Sequence, residues 1–272
     1  LLLNIGPKGD GTFDQRDLNI LKGIGSWMDK NGESIYGTKA SPLPLQSWGV
    51  STLKDNKIYL HVFNWPADGQ LIIGGLKTPF EKATFLSGTK NTLTASKKET
   101  NDWVIHLPKT APDKLNTVIV LSFKNKVETD SVRFVSANIP VTRLLAFDAT
   151  QQGKGFAFGD GKTDRYYVEG WKSKDQTLSW NFRTDAPVSF QIVAKYLAGN
   201  ESNGSVYQLQ LDNKTTEKKV ITDKQATKAL SQDLGAFSLV PGLHKITIKP
   251  VEIKGELMKL LELQLIAVPN KK

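Results

Sequence analysis

Cysteine is absent from this 272-residue sequence. That excludes disulfides, thiolate nucleophiles and cysteine-based zinc sites together, and it leaves the redox compartment open. Histidine is scarce: His61, His106 and His244 each stand alone in alternating apolar-polar sequence, so neither a metal triad nor a Ser-His-Asp set is indicated. No apolar run approaches the roughly 18 residues that a helical membrane span needs, and no span is expected. Clustered arginine is missing too. The net charge of +9 comes from scattered lysines, whose densest groups, Lys97-Lys98 and Lys214 with Lys218-Lys219, lie in polar, turn-like sequence and read as solvated loops. Nucleic-acid binding, which favours a basic stripe with interleaved aromatics, is not expected.

Helical periodicity is confined to the start of the chain. Leu1 to Ile5 is an unbroken apolar run that suits a parallel strand covered on both faces, and Gly6-Pro7-Lys8-Gly9-Asp10-Gly11 is turn chemistry that ends it. Leu18, Leu21, Ile24 and Met28 then recur at helical spacing, widened by Ile20 and Trp27. This predicts a helix beginning near Asp14 and stopping at Asn31-Gly32. A lone strand and a lone helix cannot close a core. Segment 1–39 is therefore expected to be the last strand-helix unit of a larger α/β domain whose earlier units precede Leu1.

From Pro42 onward short strands alternate with turns. The first set is Lys57 to Phe63, Gln70 to Ile73, Thr84 to Leu86, Asp102 to Leu107 and Thr117 to Phe123. The second is Thr177 to Phe182, Val188 to Tyr196, Ser205 to Leu211, Ala236 to Leu239, His244 to Lys249 and Leu260 to Val268. Strict alternation in Val206 to Leu211 and in His244 to Lys249 gives each sheet one wet and one buried face, for which two packed sheets are the usual solution. Pro140 and the polar residues between Ser136 and Arg143 mark a join. The expected fold is mainly β: two antiparallel β-sandwich domains, 40–141 and 142–272, preceded by the residual strand-helix unit 1–39.

Leu1-Leu2-Leu3-Asn4-Ile5-Gly6-Pro7 with Gly9 and Gly11, then Leu18, Ile24, Trp27 and the string Asn31-Gly32-Glu33-Ser34-Ile35-Tyr36-Gly37-Thr38, closely resembles the final barrel segment of the α-L-fucosidases of glycoside hydrolase family 29. Leu60-His61-Val62-Phe63-Asn64-Trp65-Pro66 is similar to a strand end of that family's C-terminal sandwich. Residues 146–268 resemble instead the carbohydrate-binding-module-like sandwiches appended to bacterial members, through Tyr166-Tyr167-Val168-Glu169-Gly170-Trp171, Leu178-Ser179-Trp180-Asn181-Phe182 and Gly242 to Pro250. The resemblance implies a (β/α)₈ barrel ending in residues 1–39 and a retaining mechanism with two carboxyl groups about 5 Å apart. It also implies a fucosylated glycan or other carbohydrate as partner, an N-terminal catalytic barrel as a further partner, and a periplasmic or secreted location. The family's nucleophile is an Asp on a middle barrel strand that this sequence does not contain, so these residues alone are expected to be inactive. The competing reading is an autonomous glycan-binding or adhesion protein of two sandwiches.

Catalytic groups of such a barrel lie at strand C-termini, so Asn4 and Gly6, with Asp10 beyond them, are the positions able to support one. Local turn roles for these residues are the favoured reading. Sugars stack on flat aromatic rings, and Tyr166, Tyr167 and Trp171, set in polar, glycine-rich sequence, are the candidate substrate-binding aromatics. Trp180 shares a face with Leu178 and Phe182 and is assigned to the core, as Trp48, Trp65 and Trp103 are to core or inter-domain packing. Asp148, Asp160 and Asp164 offer carboxylates to a calcium ion, but the spacing of a twelve-residue calcium loop is lacking. A plain Asp-Gly turn is favoured there, and no cofactor is called for.

Overall fold

A computed structural model of the chain describes residues 5–88, 92–100 and 102–268. Leu1 to Asn4, and with them most of the expected first strand, lie outside those residues. Helix α1 (Gln15–Asn31) starts where expected, because the Asp14 carboxylate accepts the Arg16 N–H at 2.9 Å and satisfies one of the first turn's free donors. Its end differs from expectation. Gly32 has φ −57° and the chain continues into a 3₁₀ turn, Gly32–Ser34, so the glycine answers crowding rather than a left-handed cap: a Cβ there would lie 3.1 Å from the Tyr36 ring. Along the helix Leu18, Leu21, Trp27 and Met28 are half-buried, whereas Ile20 and Ile24 are 60% and 43% exposed.

Among the described residues nine strands follow: β1 (Lys39–Ala40), β2 (Gly49–Lys54), β3 (Lys57–Val62), β4 (Gln70–Ile73), β5 (Lys82–Phe85), β6 (Ala95–Lys97), β7 (Trp103–His106), β8 (Thr117–Ser122) and β9 (Arg133–Phe134). One sheet runs β1-β2-β3-β8-β5 and faces a smaller one, β4-β7-β6. Ile58, Leu60, Leu71, Ile73, Ile105, Ile119 and Leu121 fill the space between them around Trp48. β3 and β8 are buried on both faces rather than alternating. The cause is α1: Tyr59, Val118 and Val120, on the side away from the sandwich core, pack against Trp27 and Leu86.

The remaining strands are β10 (Val141–Leu145), β11 (Thr150–Gln152), β12 (Ala157–Phe158), β13 (Val168–Glu169), β14 (Thr177–Thr184), β15 (Val188–Leu197), β16 (Val206–Leu211), β17 (Lys214–Lys219), β18 (Leu230–Leu239), β19 (Gly242–Glu252) and β20 (Lys259–Ala267). They build a second sandwich from a β12-β13-β20-β15-β18 sheet, which β10 joins at β20, and a β11-β14-β19-β16-β17 sheet. β16 and β19 alternate as the sequence predicts, sending Tyr207, Leu209, Leu211, Ile246 and Ile248 inward. The lysine groups are not loops: Lys214, Lys218 and Lys219 lie on edge strand β17, and Lys97 ends β6. Charged edge strands of this kind resist pairing with other chains.

The two sandwiches share a hydrogen-bonded seam. β9 pairs in parallel with β14, Arg133 opposite Phe182 and Phe134 opposite Arg183. Phe134 packs on Ile72 and Val104 of the first sandwich, while the next residue, Val135, enters the second core. Glycine is obligatory at position 74, where a Cβ would lie 2.1 Å from the Phe134 ring. Beside it the fully buried Asp102 accepts both guanidinium arms of Arg183, one at 2.8 Å, and the Gly75 N–H at 3.0 Å. Lys98 pairs with Asp185, and the Ser47 and Thr142 hydroxyls meet at 2.8 Å.

Candidate functional site

The string Asn31 to Gly37 fastens α1 to the first sandwich. Trp27 Nε1 donates to the Asn116 carbonyl at 2.9 Å, Thr52 Oγ1 to the Ser34 carbonyl at 2.7 Å and Lys54 Nζ to the Tyr36 carbonyl at 3.1 Å. Glu33 Oε1 accepts from Lys57 Nζ at 2.9 Å and from Tyr59 Oη at 2.6 Å. Lys57 and then Tyr59 hold the Glu33 carboxyl below its ordinary value, while burial and Glu33 push the Tyr59 phenol well up. His61 lies under Trp27, ring centroids 6.2 Å apart, and accepts from the Asn116 amide at Nδ1. Burial drives its imidazole down, so the ring is neutral at pH 7.

The predicted aromatic candidates separate. Tyr166 and Tyr167 are half-buried on the outer side of the β10-β20-β15 sheet. The Tyr166 ring stands 5.6 Å from Arg143 Cζ and 5.8 Å from Lys195 Nζ, and the Tyr167 ring 5.2 Å from Lys259 Nζ, all within cation-π range. Tyr166 Oη accepts from Arg143 at 3.1 Å, beside the buried Glu262 carboxylate, which Arg143 Nε grips at 2.7 Å. Glu262 raises the Arg143 guanidinium, Asp164 the Lys195 ammonium and Glu169 the Lys259 ammonium, so all three remain cations. Arg143, Lys195 and Glu262 were missed in the sequence. Arg143 and Glu262 are 119 residues apart and carry no local signal.

Trp171 corrects an expectation. It is fully buried, its ring 5.8 Å from Phe156 in the second core, and has no free face for a sugar. The glycine-rich setting that suggested an open loop is what turns the chain inward. Gly170 has φ +86° and passes so close to the Gly155 carbonyl that a Cβ would sit 2.1 Å from its oxygen. Gln176 locks the turn, donating to the Lys154 and Gly170 carbonyls and accepting the Lys172 and Ser173 N–H groups.

The calcium candidates do not converge. Asp148 pairs with Arg133 at 3.0 Å, Asp160 with Arg165 and Lys162, and Asp164 with Lys195 at 2.8 Å. Among the described residues no three His, Asp or Glu side chains gather at one point. Asn4 lies outside the described residues. Gly6 has no neighbour within 4 Å of a Cβ position, and Asp10 accepts the Thr12 N–H and hydroxyl at 2.9 and 2.7 Å within its own turn. Of the histidines, His244 is buried with Nδ1 2.7 Å from Asp212, and His106 is exposed. Trp48 and Trp180 are core residues.

The family model for alpha-L-fucosidase matches residues 1–33. Plasma alpha-L-fucosidase of Homo sapiens is 37% identical over 79 residues, which are 27% of this chain and 17% of that protein. Tissue alpha-L-fucosidase of Rattus norvegicus is 33% identical over 117 residues, 41% of this chain and 25% of its own. The chain is related to the C-terminal portion of the family 29 α-L-fucosidases. It spans a quarter or less of the length of these curated fucosidases. The crystal structure of alpha-L-fucosidase from Vibrio sp. strain EJY3 superposes on 97% of this chain and 47% of that one with a TM-score of 0.63 at 20% identity, so both sandwiches have counterparts within one solved fucosidase fold. The family-model match takes in α1 and the first residues of its fastening string.

Proposed function

We propose that the chain serves as the non-catalytic C-terminal portion of an α-L-fucosidase-like glycoside hydrolase. In this reading the parent enzyme removes terminal α-L-fucose from glycans by a retaining mechanism on an N-terminal barrel. Segment 1–39 completes that barrel, 40–141 carries it, and 142–272 contacts the carbohydrate. The observation that carries the reading is the fastened helix: five polar contacts fix one end of α1 and the turn after it to the first sandwich while Ile20 and Ile24 remain uncovered, as the outer helix of a larger barrel would. The buried carboxylate Glu262 is held by an arginine and is not placed to attack a sugar. A periplasmic or secreted, bacterial setting fits the same reading.

The carbohydrate contact is assigned to Tyr166 and Tyr167, whose rings lie beside fixed donors and acceptors of the kind that hold sugar hydroxyls. Two measurements test the proposal. The isolated chain is expected to leave an aryl α-L-fucoside intact while the barrel-containing enzyme hydrolyses it; turnover by the chain alone would overturn the non-catalytic role. Glycan binding by the chain should fall by about tenfold in Tyr166→Ala, the loss expected of one stacking contact. Undiminished binding would remove Tyr166 from the site.

A further inference from the structure

Two short strands flank one edge of β14 and leave a gap between them. Pairing with β11 ends at Ser179, opposite Thr150, and pairing with β9 begins at Phe182, opposite Arg133. Among the described residues Trp180 and Asn181 have no strand neighbour on that edge, and a cavity of about 300 Å³ opens there. Its lining is mainly polar, with Leu45 and Val132 as apolar neighbours of the hydrogen-bonding groups. Leu178, Trp180 and Phe182 point into the core, so alternation turns Ser179 and Asn181 outward to the notch. Arg133 and Asp148, paired at 3.0 Å with side chains 11% and 25% exposed, form the opposite rim. Arg133 also donates to the Arg143 carbonyl at 3.0 Å, which fixes the guanidinium in place.

The chemistry of the notch is balanced. An anion would face Asp148, a cation would face Arg133, and an apolar group would strand the hydroxyls of Thr150 and Ser179 and the carboxamide of Asn181. Those three side chains have no hydrogen-bond partner among the described residues, and each can both donate and accept. A neutral ring bearing several hydroxyls matches that set. The polar surface continues away from the notch: Thr150, Ser179, Thr247, Gln210 and Thr215 stand opposite one another across five strands, a row about 19 Å long at the usual strand spacing of roughly 4.8 Å. We propose that this notch is a saccharide subsite, taking one neutral sugar ring of a glycan whose chain runs on along the row. It rests on the carbohydrate reading of the second sandwich but uses the opposite sheet from Tyr166.

The test is a titration of the full chain with L-fucose, D-galactose and N-acetyl-D-glucosamine at tens of millimolar, followed by amide nitrogen-proton correlation spectra. At least one sugar should shift the Thr150, Ser179 and Asn181 amides saturably. Asn181→Ala, at an exposed position, should weaken that response by about tenfold, the loss of one or two hydrogen bonds. Thr150→Val should weaken it less, and Tyr166→Ala should leave it unchanged. Saturable shifts confined to the surroundings of Tyr166 would overturn the notch and spare the tyrosine site, whereas silence at both would overturn both. Linear, unsaturating shifts at the notch that are equal in Asn181→Ala would also overturn it.

Discussion

Arg183→Met should be among the most destabilising single changes in this chain. It leaves Asp102 fully buried with only the Gly75 N–H and the Thr100 hydroxyl, and removing one partner of such a pair costs about 3 to 5 kcal/mol. Asp102→Asn should cost less, about 1 to 3 kcal/mol, because Arg183 keeps Asp130 at 3.5 Å and its own side chain is 15% exposed. The double variant should recover much of the loss, since it strands no charge. Urea unfolding followed by tryptophan fluorescence reads all three, and it also reads the coupling of the sandwiches: the parent should unfold in one transition and Arg183→Met in two. The acid limb gives a further signature. Burial raises the Asp102 carboxyl, and Arg183 with the Gly75 N–H more than offsets this, so its folded value lies below the ordinary 3.8. Its contribution is therefore complete above that value and is lost as pH falls beneath it. If Asp102→Asn proved costlier than Arg183→Met, or both cost under about 1 kcal/mol, the account of the seam as a charge-locked joint would be wrong.

Two further outcomes follow from burial. Trp171→Ala should lower stability by about 3 to 5 kcal/mol through the cavity it leaves, measured by thermal denaturation, and should leave glycan binding of the still-folded protein intact; a binding defect without a stability loss would contradict its place in the core. His61 has a folded value below the unfolded 6.5, so the unfolded chain takes up the proton first and stability should decline as pH drops from about 7 to about 5. His61→Gln should flatten that decline in denaturant midpoints taken across the range, and an unchanged slope would show that another group produces it.

The strands legible in the sequence were those with a clear wet face or a strong apolar run: Gln70 to Ile73 was read to the residue, and Val206 to Leu211 and His244 to Lys249 lie within observed strands. Strands β6 and β17 escaped notice because an edge strand needs no apolar side chain, and lysine and threonine there looked like loop. Helix α1 was visible from its stripe, but its cover over β3 and β8 was not, since double-sided burial leaves the same apolar run as a parallel strand. Tyr166 was found by composition, yet the charges that surround it come from β10, β15 and β20, far away in sequence. Trp171 differs for the opposite reason: the glycine beside it, which in sequence suggests an exposed loop, serves close approach of two backbone segments in the fold. The joint residues Asp102 and Arg183, 81 positions apart, left no trace in either neighbourhood.

The short parallel strand β9 bears on how such a molecule can be inherited. Moving residues 142–272 into another gene would leave Arg133, Phe134 and Val135 behind, stripping β14 of its neighbour and emptying the place in the core that Val135 occupies. The piece that recombination can carry intact therefore begins upstream of the apparent hinge, and a transplanted copy of the second sandwich should be found still wearing that borrowed strip of its former neighbour.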